Sequence, residues 1–204
     1  TTIGAYETPI WGKNGWLVDL SALGDDYDYA DIFEPVKNGL SSGGKMYAVP
    51  FYAETSFTFY RKDLFDAAGL KMPEAPTYDE IRGFADKLTD KSKEQYGICL
   101  RGKPGWGEIG ASLTTVLNTF GATWWSAKPN GTLDKAMVDQ PAFRKATGFY
   151  IDLVRGAGER DAAGSSFNEC LEQYLSGKVA MWYDATVGAG QLEAIDAGDQ
   201  APQL

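Results

Sequence analysis

Gly44-Lys45-Met46-Tyr47-Ala48-Val49-Pro50-Phe51-Tyr52-Ala53-Glu54-Thr55-Ser56-Phe57-Thr58-Phe59-Tyr60-Arg61-Lys62-Asp63-Leu64-Phe65 sets two extended runs almost back to back. Met46 to Phe51 runs extended into Pro50, after a turn at Ser42-Gly43-Gly44-Lys45. Ser56 to Tyr60 follows, dominated by aromatic and β-branched residues, the composition of a strand. From Lys62 the pattern changes to that of helices. Two strands so close, followed by a switch of period, mark a crossing point between two lobes.

Outward from this point, helices alternate with short strands. Lys62 to Ala68 reads as a helix ended by Gly69. Thr77-Tyr78-Asp79-Glu80 is a capping box, in which hydroxyl and carboxylate satisfy orphan amides of the first turn. Ile81, Phe84, Ala85 and Leu88 then share one face. Gln95 to Leu100 reads as a buried strand, and a helix runs from Glu108 to Phe120, stopping at Gly121. Lys128 to Thr132 has the residues of a hairpin turn. Pro141 opens a helix whose apolar face carries Phe143, Ala146, Phe149, Tyr150, Leu153 and Val154. Asn168 to Ser176 is a helix capped by Gly177, Val179 to Tyr183 a strand, and Thr186 to Asp196 a last helix. Upstream, Thr2 to Tyr6 is a strand candidate and Ala30 to Leu40 a helix. Strands separated by helices predict an α/β architecture with largely parallel sheets.

Composition narrows the function. The 204 residues carry a formal net charge of −9 and a sequence pI of about 4.6. Such a surface repels phosphate backbones, and with no basic stripe nucleic acid is excluded as a partner. No run approaches the eighteen or so apolar residues of a membrane helix, so membrane insertion is not expected. Histidine is absent, removing the commonest general base and zinc ligand. Cys99 and Cys170 have no CxxC-type spacing. A long-range disulfide is open to them in an oxidising compartment, but two small buried apolar residues is the favoured reading. No leader precedes Thr1 and no packing element follows Gly198 to Leu204, so the segment is expected to be cut from a longer chain.

The stretch Gly44 to Ser56, then Phe59-Tyr60-Arg61-Lys62-Asp63-Leu64-Phe65 with Ala67-Ala68-Gly69-Leu70 and Pro76-Thr77-Tyr78-Asp79-Glu80, resembles the extracellular solute-binding proteins of ABC importers for carbohydrates. Tyr96 to Glu108 and Met181 to Thr186 are most similar to the polyol-binding subgroup, for sorbitol and mannitol. The resemblance implies a periplasmic-binding-protein-like (type II) two-lobe α/β fold with the first lobe incomplete. Residues 1–54 would be part of the N-terminal lobe with the first hinge strand, and 55–204 most of the C-terminal lobe. It also implies a monomer in the periplasm or outside the cell, with a small polyol or monosaccharide and ABC permease subunits as partners and no cofactor. Glu54 would occupy a ligand-contacting hinge position.

A polyhydroxy ligand needs aromatic planes for its C–H faces and charged or paired groups for its hydroxyls. The chain supplies these at segment ends. Tyr6, Glu7 and Trp11 follow the first strand candidate, and Phe51 and Glu54 stand at the crossing. Arg101, Trp106 and Glu108 follow the strand at 95–100, Asn168 stands at a helix start, and Trp182 and Asp184 end the strand at 179–183. Among the tryptophans, Trp16, Trp124 and Trp125 read as core or interface, whereas Trp106 stands among Pro104, Gly105 and Gly107 and reads as a stacking platform. Competing roles are a cap for Glu108 or Asp184 and a structural ion pair for Arg101. Gly105 to Gly110 also fits G-x-G-x-x-G, but Trp106 would crowd a pyrophosphate and no acidic strand end follows at the required distance. Asn130-Gly131-Thr132 matches a glycosylation sequon and is read as a turn. The alternatives to a binding module are a glycosidase using two of Glu54, Glu108 and Asp184, and a truncated fragment that binds nothing.

Overall fold

A computed structural model describes residues 1–23, 25–51, 54–128 and 133–194. The chain clusters into two compact units, one from Thr1 to Glu54 and a second from Thr55 onward.

In the first unit, the strand expected over Thr2–Tyr6 is not formed. Thr8 donates its hydroxyl to the Gly4 carbonyl at 2.8 Å, and the backbone turns at once into α1 (Glu7–Lys13). The helix expected over Ala30–Leu40 is shorter, because Pro35 seats as an early helical residue of α2 (Glu34–Gly39). The Gly43-Gly44 turn joins β1 (Ser41–Ser42) to β2 (Lys45–Met46) as an antiparallel hairpin, with φ of 59° and 77° at the two glycines. Residues 47–51 beyond β2 take no regular structure.

The second unit is ordered by alternation. β3 (Ser56–Tyr60) pairs antiparallel with β6 (Met181–Ala185), and residues 96–99 run beside β6 and the residues before it through two isolated parallel bridges, Tyr96 to Val179 and Cys99 to Trp182. Successive side chains of a strand point to opposite faces, and the core divides accordingly. Ile98, Leu100 and Met181 enter one apolar cluster, packed by α3 (Lys62–Ala67), α4 (Tyr78–Leu88), α5 (Ile109–Thr119) and α6 (Pro141–Ala157). Phe59, Cys99 and Trp182 enter another, under α7 (Phe167–Leu175) and α8 (Val187–Ala194). Helices on both faces of a strand layer are the α/β arrangement expected. The expectation of largely parallel sheets is corrected: every named strand pair among the described residues is antiparallel, and the parallel contacts are single bridges. β4 (Trp125–Ala127) and β5 (Leu133–Ala136) form the anticipated hairpin. Its turn at 129–132, with the sequon, lies outside the described residues.

Helix punctuation follows the sequence. Thr77 and Glu80 make both bonds of the capping box on α4, and Gly69, Gly121 and Gly177 leave helix ends with φ of 65°, 73° and 74°. Trp124 packs edge-on against Phe143, whereas Trp16 and Trp125 are exposed and not core. The cysteine reading is overturned. Cys99 and Cys170 form a disulfide, because the alternation that buries Cys99 under α7 brings the two Cα atoms to 5.4 Å.

The bridge closes a loop between residues 71 apart in sequence, and cross-linking so distant a pair removes unfolded-state entropy equivalent to about 4 kcal/mol. The double variant Cys99→Ala/Cys170→Ala is therefore expected to lose stability of that order in urea denaturation. An unchanged midpoint would show that the bridge contributes nothing.

Candidate ligand-binding site

The same strand register assembles the centre of the candidate site. Cys99 lies beside Trp182 in a parallel bridge, so two residues further on Arg101 and Asp184 are carried to the same face and meet. Arg101 Nε donates to Asp184 Oδ2 at 2.9 Å, and Nη2 donates to Oδ1, a bidentate pair. Asp184 also accepts from Trp182 Nε1 at 3.1 Å and from the Ala185 amide at 2.7 Å. Both residues are buried. Burial works against the guanidinium charge, but the carboxylate more than offsets it, so Arg101 is held above its ordinary value. The Phe167 ring lies 5.4 Å from the guanidinium carbon, and the Tyr150 hydroxyl donates to the Arg101 carbonyl at 2.6 Å. Burial pushes the Tyr150 phenol up, which keeps that hydroxyl a neutral donor.

The third arm of Arg101 reaches into the following loop, where Nη1 donates to the Gly107 carbonyl at 2.7 Å. The loop is held at its start by the Ser165 carbonyl, which accepts the amides of Gly102 at 2.9 Å and Lys103 at 3.0 Å. At its end, Gly110 donates to the Gly105 carbonyl at 3.2 Å. On this braced loop Trp106 stands 60% exposed, its indole beside Gly110, where a Cβ would lie 3.4 Å from Cε3. Glu108 occupies the position before α5 but makes no side-chain cap; its carboxylate faces the Lys103 ammonium at 3.8 Å. Asn168 is exposed in the first turn of α7.

Several sequence expectations change here. Trp182 is wholly buried, stacked on Phe59 at 4.9 Å and edge-on to Phe167 at 5.1 Å, and offers no face to a ligand in this position. Asp184 neither caps α8 nor lies open, since both its oxygens are occupied. Arg101 is the structural ion pair that was weighed as its competing role. Tyr6, Glu7 and Trp11 lie at the start of and within α1, not at the end of a strand. Tyr6 is exposed, Glu7 and Trp11 are half-buried, and the Trp11 and Trp16 rings meet edge-on at 6.4 Å. Phe51 and Glu54 are brought together along one groove of about 870 Å³ in the first unit. A groove of about 800 Å³ beside β3, lined by Tyr78, Thr119 and Tyr183, contains none of the expected residues. Tyr150, Ser165 and Phe167 were missed. The one signal for them in the sequence was a hydroxyl at Tyr150 on an otherwise apolar helix face, needing a partner.

With this geometry the comparisons fall into place. The family of bacterial extracellular solute-binding proteins matches residues 1–203, and the chain belongs to it. It is 46% identical over 191 residues to the mannitol-binding protein of Pseudomonas aeruginosa, covering 91% of this chain and 42% of that protein. Among solved structures, it is similar to an ABC transporter solute-binding protein from Agrobacterium vitis S4 with bound D-mannitol. That likeness has a TM-score of 0.84 and 51% identity, over 98% of this chain and 48% of the other. A solute-binding protein from Agrobacterium radiobacter K84 in complex with ribitol gives 0.75 and 29%, over 92% and 46%. The fold is thus periplasmic-binding-protein-like (type II), and the chain spans about half the length of these relatives.

Removing one partner of a buried ion pair leaves the other charge unpaired, at a cost of about 3–5 kcal/mol. Arg101→Ala and Asp184→Asn are each expected to lose stability on that scale in chemical denaturation, so neither is a variant that alters binding alone. Wild-type midpoints for both would remove the pair from its bracing role.

Proposed function

We propose that this protein captures a small polyol or sugar outside the cytoplasm and delivers it, unchanged, to an ABC importer. The observation that carries the reading is an exposed Trp106 on a loop held by a buried ion pair, the rigid aromatic platform that a C–H face requires. Glu108, two residues further along the chain, and Asn168, in the first turn of α7, are the candidate hydroxyl partners of the second unit, and Tyr6, Glu7, Trp11, Phe51 and Glu54 are the candidate contacts of the first unit. The likeness to proteins named for, or crystallised with, mannitol and ribitol supports a polyol in particular. The boundary between Glu54 and Thr55 supports assigning residues 1–54 and 55–204 to different lobes, with Glu54 at the hinge.

The commitment of one candidate carboxylate supports capture over hydrolysis. Of the three carboxylates a glycosidase could use, Asp184 has both oxygens committed to Arg101, Trp182 and Ala185. The disulfide favours an oxidising compartment. Among the described residues no helix is long and apolar enough to cross a membrane.

Calorimetry with D-mannitol and ribitol, on the protein expressed over its whole reading frame, tests this reading. Trp106→Ala should lose at least tenfold in affinity, about 1.4 kcal/mol, with an unchanged unfolding midpoint. Unaltered binding by that variant would displace the site, and product from incubated glycosides would make the protein an enzyme.

A further inference from the structure

Just past the end of α6, the chain buries a carboxylate that no cation among the described residues pairs. Glu159 is 6% exposed; its Oε1 accepts from the Ser165 hydroxyl, and among the described residues its Oε2 has no hydrogen-bond partner. The charged group that bears on it is Asp161, of like sign, on the same loop. Burial pushes the carboxyl up from its ordinary value and Asp161 pushes the same way. A carboxyl group in such a place costs free energy, and nothing in the Arg101–Asp184 pair uses it.

What it holds is the strap formed by residues 159–166. Within the strap the Gly164 amide donates to the Asp161 carbonyl at 2.9 Å, and the Ser165 hydroxyl lies 3.1 Å from that same carbonyl. The strap presses directly on the candidate site: a Cβ at Gly102 would lie 2.0 Å from the Ala162 carbonyl oxygen, so only glycine lets the two backbones meet. Ser165 then supplies the carbonyl that receives both the Gly102 and Lys103 amides. The next residue, Ser166, caps α7, whose Phe167 and Cys170 reach Arg101 and Cys99. The far end of the strap is therefore anchored by α7 and the disulfide, and the near end by Glu159.

We propose that Glu159 is a positioning residue for the Trp106 loop, acting through the Ser165 hydroxyl to fix the carbonyl on which that loop hangs. The proposal rests on the reading of residues 101–108 as ligand-binding. Glu159→Ala releases Ser165 and lets the start of the loop drift, while Glu159→Gln keeps an acceptor oxygen in the same place. Ser165→Ala removes the donor from the other side and should match Glu159→Ala.

The test is amide exchange followed by NMR on the ligand-free protein, expressed over its whole reading frame, alongside calorimetry with D-mannitol. Glu159→Ala and Ser165→Ala should exchange the Gly102 and Lys103 amides at least about tenfold faster and bind D-mannitol correspondingly more weakly. Glu159→Gln should restore both. Unchanged exchange at Gly102 and Lys103 in Glu159→Ala overturns the proposal. So does exchange that rises equally at the Tyr96, Cys99 and Ala180 amides of the strand layer, since that is loss of global stability and not of loop position. Faster exchange at Gly102 and Lys103 alone, with D-mannitol affinity unmoved in Glu159→Ala and in Trp106→Ala alike, keeps the strap and removes the site.

Discussion

The pairing of Arg101 with Asp184 begins as a matter of register. Once Cys99 sits beside Trp182 in a parallel bridge, alternation along the two extended segments carries the residues two further on to a shared face, and that face is covered by α7. A lone guanidinium or a lone carboxylate in such a place would be untenable. Together they are satisfied: three arms of Arg101 go to Asp184 and the Gly107 carbonyl, and Asp184 takes two further donors from Trp182 and Ala185. A buried polar network that is fully connected is rigid, and it links the strand layer to the loop that follows. The position of Trp106 is inherited from that network.

Local patterns in the sequence were reliable where the physics is local. The Thr77–Glu80 capping box, the glycine stops and the strand at Ser56–Tyr60 each depend on neighbours within a few residues, and each is found. Readings that depend on distant partners were poorer. Whether Cys99 meets Cys170 is decided by which face of the layer each occupies, and spacing carries no such information. The Thr2–Tyr6 strand failed because nothing in five residues reveals that Thr8 will fold back on Gly4.

The candidate site divides along the same line. Residue type alone nominated Arg101, Trp106, Trp182 and Asp184 alike, since all suit a hydroxyl-rich guest. Trp106 could be told apart because its glycine and proline neighbours cannot sit in a packed strand. Trp182 also carried a signal, lying within the continuous apolar run Val179 to Tyr183 that marks a strand buried on both faces. Arg101 and Asp184 gave none, because a charge reads the same whether it faces solvent or a partner.

The consequence for specificity is chemical. Arg101 would be the natural anchor for an anionic solute, but its charge is cancelled inside the fold by Asp184. What the loop after it offers outward is an indole, with the Lys103 ammonium already facing the Glu108 carboxylate. A surface of that kind, aromatic and locally balanced in charge, exerts no net pull on a phosphate or carboxylate group, and it discriminates by stacking and by the placement of hydroxyls. On the proposed reading, a neutral polyol suits this half of the site because the fold has already spent its strongest cation on holding the site together.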